Sequence, residues 1–176
     1  SLCDWSSDVC SSDLISSQMA DEISVISQQF NVNYEYDDFP NDFIYEFTAT
    51  YSGSPLLQVI VIRPDGTNLE ILSTSLPYSE AETIHNERIF STDESIIKNI
   101  LLQSEKFQFP ISGYSSQDII FAKTEQHVVL KGNYIFLANL YGVQTENSIL
   151  DSNLIIGGKA YGLMGTDELR RDLAVG

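Results

Sequence analysis

The sequence predicts a mainly β protein, an antiparallel β-sandwich-like domain with one inserted α-helix at about 92–105 and a short C-terminal amphipathic helix. Three observations carry that expectation. Short stretches of period-two apolar alternation recur from Phe43 onward. Turn chemistry separates them, and only one stretch repeats its aliphatics at clear helical spacing.

Phe43, Tyr45, Phe47, Ala49 and Tyr51 alternate with Ile44, Glu46, Thr48 and Thr50, which reads as a half-buried strand with an aromatic face. Such a face could stack sugars, but its regularity favours a core. Ser52-Gly53-Ser54-Pro55 breaks this strand, and Leu56 to Arg63 forms the next. Arg63-Pro64-Asp65-Gly66 has proline second and glycine fourth, as a type I turn requires, so Thr67 to Ser73 returns as the partner of a hairpin. A polar loop then runs to Phe90. Ser91 to Glu94 fits an S-x-x-E capping box, and Ile96, Ile97, Ile100 and Leu101 follow at helical spacing until about Glu105, before Pro110. Further strands are expected at Asp118 to Lys123, Gln126 to Lys131, Asn133 to Gly142 and Asn153 to Ile156. The third is apolar on both faces, as a central strand would be.

The first fourteen residues are set apart. Asp4-Trp5-Ser6-Ser7-Asp8-Val9-Cys10-Ser11-Ser12-Asp13-Leu14 looks like one reading frame of a sequencing-library adapter, so residues 1–14 are treated as an artefact without structural role. Cys3, Cys10 and Trp5 belong to that stretch, and the cysteines are not in C-x-x-C spacing. Residues 15–41 are expected to be a linker or helix and 42–160 the β-rich domain. Residues 161–176 form a separate C-terminal piece.

Setting aside Asp4, Asp8 and Asp13 leaves 22 acidic side chains against 9 basic ones, a net charge of −13. A surface of that sign repels nucleic acid and anionic lipid, so no nucleic-acid partner is expected. The longest aliphatic run, Val59-Ile60-Val61-Ile62, is strand-sized and far short of the ~18 residues that would span a bilayer as a helix.

Catalytic and metal-binding patterns are sparse. Asp37, Asp38 and Asp42 surround Pro40 but lack calcium-loop spacing, and a solvated turn is the better reading. His85 falls in a polar loop and His127 at the start of an apolar strand, and both are expected to be structural or solvated. Glu80 and Glu82 could serve an acid-dependent hydrolase only if the fold gathered them. No G-x-S-x-G, H-E-x-x-H or phosphate-loop pattern occurs, so no enzymatic role, cofactor or metal is expected.

One motif stands out near the C-terminus. Leu163-Met164-Gly165-Thr166-Asp167-Glu168-Leu169-Arg170-Arg171-Asp172 resembles the "(P/M)-L-G-T-D-x-L-G-R-D" signature of permease subunits of peptide/nickel-type ABC importers. Gly165, Thr166, Asp167, Leu169, Arg171 and Asp172 are in register, and Arg170 stands where that family has glycine. In the family the signature lies outside the cytoplasm, just before the second membrane helix. The resemblance therefore implies an extracytoplasmic segment of a cell-membrane protein that helps form a translocation pathway for peptide-like or other small solutes. It also implies a second permease subunit, ATPase subunits bound through a region absent here, and an extracytoplasmic solute-binding protein as partners. The residues alone suggest something plainer, since Thr166 or Asp167 can cap a helix whose Leu169 and Leu173 share a face. A free-standing extracellular β-sandwich binding module and a secreted hydrolase are the alternatives.

Overall fold

The computed structural model describes residues 3–5, 8–10, 22–142, 148–161 and 163–172. Within them eleven strands are numbered in chain order. Strands β1 (Cys3–Trp5) and β2 (Asp8–Cys10) pair only with each other, so the adapter-like segment forms a small hairpin outside the two larger sheets. The rest of its residues lie outside the described chain.

The larger sheets form the β-sandwich that the alternation predicts. One contains β10 (Lys159–Tyr161), β9 (Ser148–Ile156), β4 (Phe43–Gly53) and β7 (Ser79–Phe90), in that spatial order. The other contains β11 (Leu163–Asp172), β3 (Glu22–Tyr34), β8 (Gly132–Gly142), β5 (Leu56–Ile62) and β6 (Asn68–Ser75). Every pairing is antiparallel. The inner row of β4 is the aromatic one, with Phe43, Tyr45, Phe47, Ala49 and Tyr51 all buried against Tyr134, Phe136, Ala138 and Leu140 and their neighbours. Its aromatic face is therefore core. The rings interlock edge to face, as Phe30 does with Tyr45 at 5.9 Å. β8 is central, flanked by β3 and β5, as its two apolar faces predict.

Three segments not expected to be strands are strands. The expected linker or helix before residue 42 is strand β3 from Glu22 onward, while 15–21 lie outside the described residues. Its inner row is Ile26, Gln28, Phe30, Val32 and Tyr34, and the polar Gln28 interrupts the apolar alternation that would have revealed it. The polar loop before Phe90 is strand β7, an edge strand in which only Ile89 is buried, so no face shows a full apolar period. The expected C-terminal amphipathic helix is strand β11. Its backbone pairs with β3 from Leu163 opposite Phe30 to Asp172 opposite Glu22, and this sheet pairing overrides a local helix pattern only two turns long. Leu173 falls outside the described residues.

The inserted helix is confirmed in place. Helix α1 spans Glu94–Leu101, followed by a 3-10 turn at Ser104–Lys106. The expected capping box does not form, because Asp93 occupies the N-cap position and its carboxylate accepts from the Phe90 N–H instead. Only Ile96 and Ile100 of the aliphatic stripe are buried. A second short helix, α2 (Ser116–Ile120), replaces the strand expected from Asp118, and the strand expected from Gln126 is reduced to one bridge, Ala122 with Val129. Ile119, Ile120, Phe121 and Ala122 are all buried, and such a run has no period to separate helix from strand.

Helix α1 and the turn that follows it also close the free edge of β6. The Asn99 and Gln103 side-chain amides each donate to Glu70 O at 2.7 Å, and Gln103 Oε1 accepts from the Glu70 N–H at 3.1 Å. Side chains thus occupy backbone groups that another strand could otherwise seize.

At the Arg63 turn, Gly66 N–H donates to Arg63 O at 2.9 Å and Gly66 has φ +89°, a conformation that glycine adopts freely. The guanidinium of Arg63 is fully buried. It donates to Ile119 O and Ile120 O at the end of α2, approaches Asp65 at 3.2 Å, and lies 5.3 Å from the Phe107 ring centroid.

Buried tyrosines predict the alkaline limit of the fold. Burial raises the phenols of Tyr34 and Tyr45 to about 12 from the usual 10. Folding therefore favours the protonated phenols, a contribution that is complete below pH 10 and lost as pH rises through about 12. Urea midpoints are expected to fall across that window. An unchanged midpoint between pH 9.5 and 12 would contradict the burial of these hydroxyls.

Candidate functional site

Strand directions sort the loops into two ends. β3 enters at Glu22 and reaches Tyr34, which pairs with Gly132 at the start of β8. Ile156 at the end of β9 pairs with Phe43 at the start of β4, and Phe90 at the end of β7 pairs with Ile44. One end, the tip, therefore gathers residues 35–42, the Arg63 turn, 91–131 with both helices, and the Gly157-Gly158 turn. The opposite end, the base, holds Glu22 and Asp172. A strand of thirteen residues separates them by roughly 40 Å.

A cleft opens at the tip between Tyr34, Tyr36, Asp37, Asp38 and Phe39 on one side and Ile156, Gly157 and Lys159 on the other. Tyr34 is anchored, its hydroxyl donating to Asp38 O and its ring 5.1 Å from Tyr36 and 4.9 Å from Phe121. Tyr36 remains 55% exposed. Lys159 Nζ lies 5.4 Å from the Tyr161 ring centroid. Lys131 bonds Asp37 and holds its carboxyl below the ordinary aspartate range, through the hydrogen bond first and the charge second. The acidic turn around Pro40 is thus one wall of a mixed aromatic and charged cleft. Asp42 contributes its backbone carbonyl to Gly157 N–H.

Beside the cleft, His127 is clasped between two rings. Phe39 stacks on one side at 4.6 Å and Tyr114 on the other at 3.8 Å, with Phe109 edge-on at 5.7 Å. Its Nε2 lies 3.0 Å from Asp118 O, and a carbonyl can only accept, so that nitrogen carries the hydrogen. The imidazole serves here as a packing plate that ties the Phe39 loop to residues 109–127. Nothing in the sequence joined Phe39, Phe109, Tyr114 and His127, which have no periodic relation. Substituting His127 by alanine is expected to cost about 1–2 kcal/mol of stability, and by phenylalanine less, because the flat stack survives. Equal losses in urea titrations of the two variants would show that the stack contributes nothing.

The remaining candidates are dispersed. His85 sits on β7, its Nε2 2.6 Å from Glu87 Oε1 and its ring edge-on to Tyr51 at 6.2 Å. Glu80 and Glu82 are exposed on the same edge strand. Among the described residues no group of three or more His, Cys, Asp or Glu side chains is placed to hold a metal ion. The signature positions Gly165, Thr166, Asp167, Leu169, Arg171 and Asp172 all lie on β11, with Gly165 just past an irregularity in its pairing with β3.

No protein-family model matches the chain, and no curated protein matches it. Among the described residues no helix is long and apolar enough to cross a membrane.

Proposed function

We infer that the sandwich is the extracytoplasmic domain of a membrane permease subunit, of the kind used by peptide/nickel-type ABC importers. The observation that carries this reading is the pairing of Asp172 with Glu22, the last and first residues of adjacent antiparallel strands. Backbones in such a pair lie about 5 Å apart. A domain inserted between two consecutive membrane helices must leave the bilayer and return to it at nearby points, which adjacent strand ends provide. The signature residues occupy the returning strand, so the motif leads directly toward the second helix.

The acidic surface suits a domain that stands off anionic headgroups. The tip cleft is then the membrane-distal end, roughly 40 Å from the bilayer side, and faces an incoming solute-binding protein. The domain itself carries out no chemistry, and its role is to support the translocation pathway and dock the delivering protein.

Protease accessibility tests the orientation. In spheroplasts expressing the whole gene product, cleavage sites engineered into the exposed Gly157-Gly158 turn are expected to be cut by external protease while the cells remain sealed. Protection until lysis would place the domain on the cytoplasmic side and overturn the reading.

A further inference from the structure

The four edges of the sandwich are not equivalent. β6 is covered by α1 and the turn after it, β10 has three residues, and β11 ends at Asp172 opposite Glu22. β7 has twelve residues and no strand on its outer side among those described.

Its hydrogen bonds reveal which groups point outward. Phe90 N–H donates to Asp93 Oδ2 and Phe90 O accepts from Asp93 N–H, so both its backbone groups face away from β4, while Ser91 N–H donates to Phe43 O of β4. Alternation along the regular stretch from Thr83 to Phe90 then directs the N–H and C=O of Ile84, Asn86 and Arg88 outward as well. The side chains of these same residues are exposed, Ile84 by 66%.

We propose that this edge pairs antiparallel with β7 of a second copy, with the two-fold axis at Asn86. Ile84 then faces Arg88 of the partner, and Asn86 faces its counterpart. Three residues from each chain supply the six backbone hydrogen bonds of a short ladder. The charges are self-complementary in that register. His85 faces Glu87, Arg88 lies diagonal to Glu82, and no two like charges are directly opposed, whereas moving the axis to Glu87 would oppose two carboxylates. The product is one continuous eight-stranded sheet. The surface is smaller than a standard interface, so the dimer is weak and reversible. This inference stands apart from the membrane reading, since it concerns the sandwich domain alone.

Sedimentation equilibrium of the 176-residue chain tests it. The weight-average mass is expected to approach twice the monomer value as concentration rises from about 5 to 500 µM, the range suited to a small interface. Asn86→Pro removes an outward N–H without touching the pairing to β4, and Arg88→Glu places a carboxylate diagonal to Glu82. Each is expected to raise the dimer dissociation constant at least tenfold, with thermal unfolding confirming that the chain is folded. A wild-type chain that remains monomeric to the top of the range overturns the proposal. So does a folded variant of either kind that dimerises as the wild type does; should Asn86→Pro fail to fold, Arg88→Glu decides alone.

Discussion

Replacing Arg63 with alanine is expected to lower the unfolding free energy by about 2–4 kcal/mol, from the lost charge-assisted hydrogen bonds to carbonyls and the cavity left by the side chain. The fully buried guanidinium donates to the carbonyls of Ile119 and Ile120 and approaches Asp65. Ile119 O keeps the Ala122 N–H, so the loss falls on Ile120 O and on the void left against Phe107. Arg63→Lys keeps the charge, but a single ammonium cannot reproduce the planar fork. It is expected to recover only part of the loss. Chemical denaturation of the three proteins measures this directly, and a change below about 1 kcal/mol for alanine would show that the tip loops do not hang on Arg63.

The second large effect concerns β11. Ending the chain after Tyr161 removes the strand that pairs with β3 from Glu22 to Phe30, turning β3 into a sheet edge. Each lost backbone hydrogen bond contributes about 0.5–1.5 kcal/mol net, so a total near 3 kcal/mol or more is expected after the strand's ordering entropy is subtracted. Hydrogen exchange should show the loss in the β3 amides that face β11. If stability and exchange are unchanged, the motif is peripheral to the fold, as the boundary at residue 160 drawn from sequence alone implies.

That boundary shows what the sequence carried and what it did not. The aromatic row of β4, the hairpin turn at Gly66 and the central position of β8 were legible because each depends on side chains within a few positions of one another. β3 was hidden by Gln28, a polar residue within an inner row. β7 was hidden because an edge strand buries too little on either face to show a period. At β11 a local helix pattern competed with pairing to residues some 140 positions earlier, and long-range pairing leaves no local trace. The tip followed the same rule. The acidic turn around Pro40 was visible, but its joining to Tyr34, Lys159 and the His127 stack required the fold to close.

In the proposed permease reading, both ends of the sandwich meet one membrane surface. Sequencing the genomic locus on both sides of this chain tests it most directly. The expected result is an apolar stretch of at least ~17 residues within about 40 codons after Gly176, and a comparable stretch encoded shortly before residue 15. A locus that encodes soluble sequence or a stop codon on the C-terminal side, with no such stretch in that interval, contradicts the permease reading.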